Sequence, residues 1–482
     1  MDQLFLLELE DIVGVDGVVR DQAELITYES DGLVSHRSRP GVAVLPETAE
    51  QVQGVVRLCH RSGVPFVARG QGTGLSAGAL PHPKGVLIVM TRMNRVLDID
   101  LANRRITVEP GVMNLDVTRR VSGDGYYYAP DPSSQSICSI GGNFAENSGG
   151  AHCLKYGFTV HHVLGAEAVL PDGEIVHLGG DALDSPGLDL LGVLVGSEGT
   201  LAVVTKVTLG LLRCPESVRT LLAAFDSTDS AGNAVSDIIS AGIIPAAIEM
   251  MDRTTIRAAE AAVHPGFPDA EAVLIVELDG SETEVAALFE QIETVCSQNK
   301  GWGVQVARDE EQRGRIWMGR KAAFAAMGRI TPSYYVQDGV IPRSTLPEVL
   351  RRIRELEQDS GLTIGNVFHA GDGNLHPLVC YDDGVEGQAE LAERVASEIL
   401  SYCLDVGGSL TGEHGIGADK ACHMPKMFSE NDLATMQLVR TAFDPGQLCN
   451  PDKLFPTPRL CGEVPGPYRP HPVEAAGLAE RL

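Results

Sequence analysis

The sequence predicts an α+β protein: an N-terminal half of short strands and helices, then a unit built around an antiparallel sheet. Three observations predict it. Up to about residue 212, strand-length apolar runs alternate with helical segments and are broken by glycine clusters at 70–78, 141–150 and 192–199. From about residue 216 the texture changes to longer alternations of strand-like and amphipathic helical segments, the pattern of helices on an antiparallel sheet. The composition, 44% hydrophobic and 21% charged over 482 residues, is that of a globular chain of about three structural units.

In order along the chain, residues 42–45 read as a strand, 47–62 as a helix, and 65–68, 85–90, 105–108 and 166–170 as further strands. In the second half, 221–225, 246–250, 272–278 and 334–337 read as strands. Residues 282–298 and 347–360 read as amphipathic helices. Glycine returns after 407 in GGSLTGEHGIG, and the last residues, rich in Pro and Gly, are expected to pack loosely. The expected division is 1–215, 216–410, 411–460 and a tail, 461–482.

Charge and cysteine content exclude whole classes of function. Lys and Arg number 38 against 65 Asp and Glu, a net charge of −27. Nucleic-acid binding and an anionic membrane surface both need the opposite sign. No two of the ten cysteines form a C-x-x-C pair, so neither a zinc ribbon nor an iron–sulfur cluster is expected, and reduced thiols in a cytoplasmic protein are. The acidic opening MDQLFLLELEDIVG lacks the basic region of a signal peptide. No apolar run reaches the ~18 residues of a membrane span, so any membrane association must come through a partner.

Glycine is over-represented, 53 residues against a usual ~7%. In PFVARGQGTGLSAG, residues 65–78, a strand runs into a glycine loop that matches G-x-G-x-x-A, with Asp98 and Asp100 downstream. A Rossmann site would need a helix directly after the glycines. Pro81 and Pro83 forbid one. What remains is a nest of backbone N–H groups able to wrap an anion. A second segment, APDPSS followed by SIGGNFAENSGG at 139–150, and a third, GSEGTL at 196–201, read as further loops dense in donors. The residues themselves establish an anion-binding α/β domain and no more.

RGQGTGLSAGA, PDPSSQ, SIGGNFAENSGG and GSEGTL together resemble the FAD-binding domain of the vanillyl-alcohol oxidase (PCMH-type) superfamily. The resemblance implies two α/β subdomains clasping non-covalently bound FAD, followed by an α+β cap domain. By position it places Arg69, Gly70, Gln71, Gly72, Thr73, Gly74 and Leu75 at the pyrophosphate, with Ser139, Ile140, Gly141, Gly142 and Asn143. It puts Pro130, Asp131 and Ser133 near the flavin or its ribityl chain, Asn147 and Ser148 in the same cofactor-binding segment, and Glu198, Gly199 and Leu201 near the adenosine end. Asn450, in NPDK, matches a family NPxK segment that returns to the flavin, although Asp452 replaces the usual glycine.

Histidine supplies the chemistry. In HAGDGNLH, residues 369–376, a G-D-G-N turn can bring two imidazoles to one point that a straight strand would hold on opposite faces. Glu413 and His414 follow in GEHGIG. Two histidines and a carboxylate suit a divalent metal with an open position, and a neighbouring imidazole suits a base. NVFHAGDGNLHP and GEHGIG resemble the metal motifs of the 2-hydroxyacid dehydrogenase branch, which spans glycolate oxidase flavoprotein subunits and D-lactate dehydrogenases. The resemblance implies His369, His376 and Glu413 as ligands of zinc, manganese or iron, His414 as the base, and Arg320 as the grip on the substrate carboxylate. Dicarboxylate-specific members carry Lys where Val336 stands, so a short monocarboxylate is expected.

The implied reaction is oxidation of a (D)-2-hydroxy acid to the 2-oxo acid by hydride transfer to flavin. With no cluster motif of its own, the chain is expected to pass electrons to an iron–sulfur subunit or other carrier; a homodimer is left open. Two other readings use the same scaffold: a non-redox transferase of the ether-lipid synthase type, and a non-catalytic FAD-fold subunit. The first needs a long apolar tunnel, and the second predicts decay of the metal motif, which is intact.

Overall fold

The computed structural model describes residues 1–180 and 187–456. The loosely packed tail expected at 461–482 lies outside them. The N-terminal half carries two small sheets. In the first, β1 (Val18–Val19), β2 (Val42–Val44), β3 (Phe66–Arg69) and β4 (Val86–Val89) run in the order β1-β2-β4-β3, with β4 parallel to both β2 and β3. The helices α1 (Gln3–Val13) and α2 (Ala49–Ser62) share one core with this sheet, around Val44, Val52, Val56 and Phe66. α2 starts two residues later than its apolar pattern suggests, because the Thr48 hydroxyl accepts from Gln51 N and caps it.

The second sheet is antiparallel: β5 (Val96–Asp100), β6 (Arg105–Val108), β7 (Val163–Val169), β8 (Ile175–Gly179) and β9 (Val203–Gly210), in the order β5-β6-β9-β7-β8. Between β6 and β7 lies α3 (Ile140–Glu146). The sequence reads this segment as a loop, and the structure corrects it. Ser139 accepts from Gly142 N at the start, and Ile140 and Phe144 bury against the second sheet, which outweighs the poor helix propensity of two glycines.

The cap is a nine-stranded antiparallel sheet. Its strands are β10 (Ser217–Phe225), β11 (Ala247–Asp252), β12 (Ala272–Gly280), β13 (Trp302–Val306), β14 (Ser333–Val336), β15 (Gly339–Val340), β16 (Ile364–His369), β17 (Asn374–Leu375) and β18 (Pro377–Tyr381). The main order is β13-β10-β12-β11-β16-β17-β15, and β18 joins β14 to β16. Alternate residues serve two cores. Leu221, Ala223, Phe225, Leu274 and Val276 face one, with helices α4 (Thr228–Ser240), α6 (Glu282–Gln298), α8 (Leu346–Ser360) and α9 (Gln388–Asp405). Leu222, Ala224, Val273 and Ile275 face the other, with α5 (Arg253–Val263) and α7 (Glu310–Met327). Both faces are dry, so the strands read as continuous apolar runs rather than alternating ones.

The chain then returns to the first sheet. Phe66 N donates to Leu448 O at 2.8 Å and Asn450 N to Phe66 O at 2.8 Å, so Cys449 bridges alongside β3. Among the described cysteines eight are free and Cys422 is disulfide-bonded. The expectation of uniformly reduced thiols therefore fails at Cys422, in a bond that no C-x-x-C spacing announces.

Candidate active site

His369 ends β16, directly across the ladder from Glu249 in β11. The turn that follows needs glycine: Gly373 has φ +80°, and a Cβ there would sit 2.2 Å from Ile341 O. This hairpin swings His376 round until the two imidazole rings stand edge to face, 5.2 Å apart. Glu413 Oε1 lies 3.2 Å from His369 Nε2 and 3.2 Å from His376 Nε2. The donor atoms of these three residues fall within 4.8 Å of one another.

Two buried carboxylates that the sequence reasoning missed hold the cluster. Glu249, fully buried, accepts from His369 Nδ1 at 2.7 Å and from Arg320 Nε at 2.6 Å, and Arg320 Nη2 lies 2.5 Å away. This is the carboxylate–histidine arrangement that fixes the tautomer of a metal ligand. The signal was there: Glu249 stands in the middle of the apolar strand AIEMMD, whose other acid, Asp252, ends it, and a charge in that position survives only if paired. Asp338, also fully buried, accepts from the backbone N–H groups of Gly412 and His414 at 3.0 and 2.9 Å, from the Thr411 hydroxyl at 2.5 Å and from Lys420 Nζ at 3.2 Å. It also lies near the His376 and His414 rings, but its Oδ2 is taken up by these four donors, so it anchors the loop that presents Glu413 and His414.

Electrostatics fit a cation at the cluster. Burial opposes a charged His369, yet Glu249 and Glu413 raise its pKa well above the usual range. Burial likewise opposes ionised Glu413, but His369 and His376 hold it well below the usual carboxylate range. Glu413 Oε2 and His376 Nδ1 are buried without a hydrogen-bond partner. A divalent ion would answer the orphaned Glu413 oxygen and replace the proton on His369, while His376 Nδ1, the far nitrogen of its ring, faces Asp338 Oδ1 at 3.8 Å. His414 stacks on His376 at 4.9 Å, and burial pushes its own pKa down to about 4.

His414 and Glu413 look into a cavity of about 680 Å³, within the ~300–1,000 Å³ usual for ligand sites. The first glycine loop, Gly70 to Leu75, lines the same cavity, with Ser133, Ser139, Gly142, Asn143 and Ser148. A smaller cavity of about 80 Å³ shares Gly70, Ala79, Gly142 and Glu146 with it, and Arg69, Gly141, Glu198 and Gly199 are among its other lining residues. The glycines are required by closeness: a Cβ on Gly70 would lie 2.1 Å from Ser139 Oγ, and on Gly72, at φ +70°, 2.1 Å from Arg69 Nη2. Arg69 Nη1 and Ser76 Oγ are buried without partners. A bare-backbone cradle with unanswered donors fits a dinucleotide such as FAD.

The remaining residues singled out by sequence stand behind these walls. Ile140 and Leu201 are core residues. Pro130 O accepts from Asn114 Nδ2 at 3.0 Å, and Asp131 pairs with His152 Nδ1 at 2.8 Å. Asn147 ends α3 in the left-handed region and accepts from Val160 N at 2.9 Å. Asn450 donates to Gly78 O at 3.0 Å and Glu198 O at 2.6 Å, stitching two glycine loops together. Arg320 is buried against Glu249 and lines neither cavity; the next residue, Lys321, lines the larger one.

Comparison with known proteins agrees with this geometry. The FAD binding domain family model matches residues 40–179, and the model for the C-terminal domain of FAD linked oxidases matches residues 214–454. The chain is 51% identical over 455 residues to the glycolate oxidase subunit GlcD of Escherichia coli, covering 94% of this chain and 91% of that one. It is 32% identical to a D-lactate dehydrogenase of Anaerostipes hadrus, covering 87% and 90%. A solved structure of p-cresol methylhydroxylase superposes with TM-score 0.78 at 16% identity, covering 94% and 96%, which shows the shared fold.

Proposed function

Because this chain belongs to the FAD-linked oxidase family, we propose that it oxidises a short (D)-2-hydroxy monocarboxylate, glycolate or D-lactate, to the 2-oxo acid. One observation carries the reading: two imidazoles and a carboxylate converge beside a third imidazole, at a cavity that the glycine cradle also lines. When bound, FAD supplies the hydride acceptor, and a divalent ion on His369, His376 and Glu413 supplies Lewis-acid polarisation of the substrate hydroxyl. His414 takes the hydroxyl proton; its low pKa keeps it unprotonated near pH 7. Arg320, buried and lining neither cavity, orients Glu249 and through it His369, so its part is to position the cluster and not to grip the substrate carboxylate.

Val336 lines the cavity and offers no charge to a second carboxylate at the position where dicarboxylate-specific members carry Lys, which favours a monocarboxylate. Electrons leave through an iron–sulfur subunit or a soluble carrier, since no C-x-x-C cluster motif exists in the chain. No helix among the described residues is long and apolar enough to cross a membrane. We assign the protein to the cytoplasm, with any membrane contact through that partner.

A panel of two- to six-carbon hydroxy acids of both configurations, scored by anaerobic flavin bleaching with and without chelator, tests the proposal. Glycolate or D-lactate should bleach the flavin fastest, and metal removal should abolish the bleaching. Bleaching by none of them overturns the substrate class; full bleaching after complete metal removal overturns the metal assignment.

A further inference from the structure

A protein of net charge −27 repels the anion it is proposed to oxidise. Within the larger cavity the charge pattern is lopsided. Glu146 and Glu413 bring carboxylates to its wall, and Lys321 is the only Lys or Arg among the described residues lining it. Arg320, one residue earlier on α7, is fixed on Glu249 and 2% exposed. Consecutive helix positions point about 100° apart, so α7 turns one cation into the protein and the next into the cavity. Lys321 is solvent-exposed and has no hydrogen-bond or ion-pair partner among the described residues. It shares the cap side of the cavity with Tyr334, Val336 and Tyr381.

We propose that Lys321 is the capture residue for the substrate: an unpartnered ammonium that draws the 2-hydroxy acid carboxylate into the cavity and hands it to the His369–His376–Glu413 cluster. The inference rests on the function proposed above. Lys321 is a positioning residue for entry and takes no part in proton or hydride movement. A mobile, hydrated ammonium suits that task, because it binds as a point charge and releases readily.

The holoenzyme tests this by anaerobic stopped-flow reduction of its flavin with glycolate and D-lactate, from low to high salt. In the wild type the second-order rate constant should fall as salt rises, as a steered encounter does. Lys321→Gln should lower that constant about tenfold at low salt and flatten its salt dependence, while the limiting rate at saturation changes less than threefold. Lys321→Glu should lower it further, and Lys321→Arg should restore it. Binding of pyruvate, followed by perturbation of the oxidised flavin spectrum, should weaken in the same order. If both acids reduce the wild-type flavin but Lys321→Gln keeps the wild-type constant and salt slope, the capture role is overturned while the function stands. If no 2-hydroxy acid reduces the wild-type flavin, the functional reading itself falls, and the inference with it.

Discussion

His414 and Glu249 stand at opposite ends of a chain of contacts through His376 and His369, and substituting each separates the proposed proton transfer from the proposed metal retention. His414→Ala leaves His369, His376 and Glu413 in place but removes the proposed base. The limiting rate of flavin reduction should fall by roughly 10²–10⁴, with substrate affinity changing only a few-fold, as read by stopped-flow titration. Glu249→Gln keeps the shape but loses the charge that holds both His369 and Arg320. Metal affinity should fall roughly 10- to 100-fold, measured as metal retained after dialysis against a graded chelator. Unchanged retention would remove Glu249 from the ligand-orienting role. At this scale the sequence was legible where glycine marks the site: His369, His376, Glu413 and His414 all sit in glycine-flanked motifs. Glu249 and Asp338 were silent as site residues, because their role is set by strand pairing and a loop return that bring residues about 75 to 120 positions apart into contact.

Among the elements, the loop after Glu413 and His414 carries most of the connection between the cradle and the histidine cluster. Glu198, from the third glycine segment, accepts from Ile416 N and Gly417 N at 2.6 Å each. Gly417 stands at φ +57°, and a Cβ there would lie 1.9 Å from Ser76 O and 2.9 Å from Gly78 N, both backbone atoms. Gly417→Ala thus incurs about 1–2 kcal/mol for the left-handed conformation and must also push two glycine loops apart. Urea unfolding should show at least that loss, and flavin should be released at lower temperature. Gly123→Ala, whose Cβ meets nothing within 4 Å, is the matched control and should change stability by less than ~0.5 kcal/mol. Wild-type flavin retention by Gly417→Ala would show that the two loops are not rigidly joined. Elements with a clean apolar period were legible to within a few residues, as at 282–298 and 105–108, whereas α3 was not. Its helical state comes from burial of Ile140 and Phe144, a tertiary effect that the local glycines conceal.

For the whole molecule, the two halves are held together by buried charge, and that sets a pH dependence. His152, from the FAD-binding half, lies between Asp131 Oδ2 at 2.8 Å and Glu277 Oε1 of β12 in the cap at 3.1 Å. Glu277 also accepts from Arg313 Nε at 2.9 Å, Trp317 Nε1 at 2.6 Å and the Thr220 hydroxyl at 2.6 Å. Burial alone would lower the His152 pKa, but Asp131 and Glu277 overcome it and raise it to about 10. Burial opposes the Glu277 carboxylate in turn, and His152 and Arg313 hold it far below its usual range. The unfolded chain releases the histidine proton near pH 6.5. The folded protein keeps it up to about pH 10, so between these limits the native state binds one more proton than the unfolded one. The stability from this link is complete below about pH 6.5 and is lost as pH rises through 10, at up to about 1.4 kcal/mol per pH unit. Urea unfolding of the wild type should weaken across this window by more than His152→Gln does, since Gln can bridge the two carboxylates but cannot titrate. Parallel pH profiles for the two proteins would show that the halves are joined by packing alone, and that the Asp131–His152–Glu277 chain is not what closes the cap over the flavin cradle.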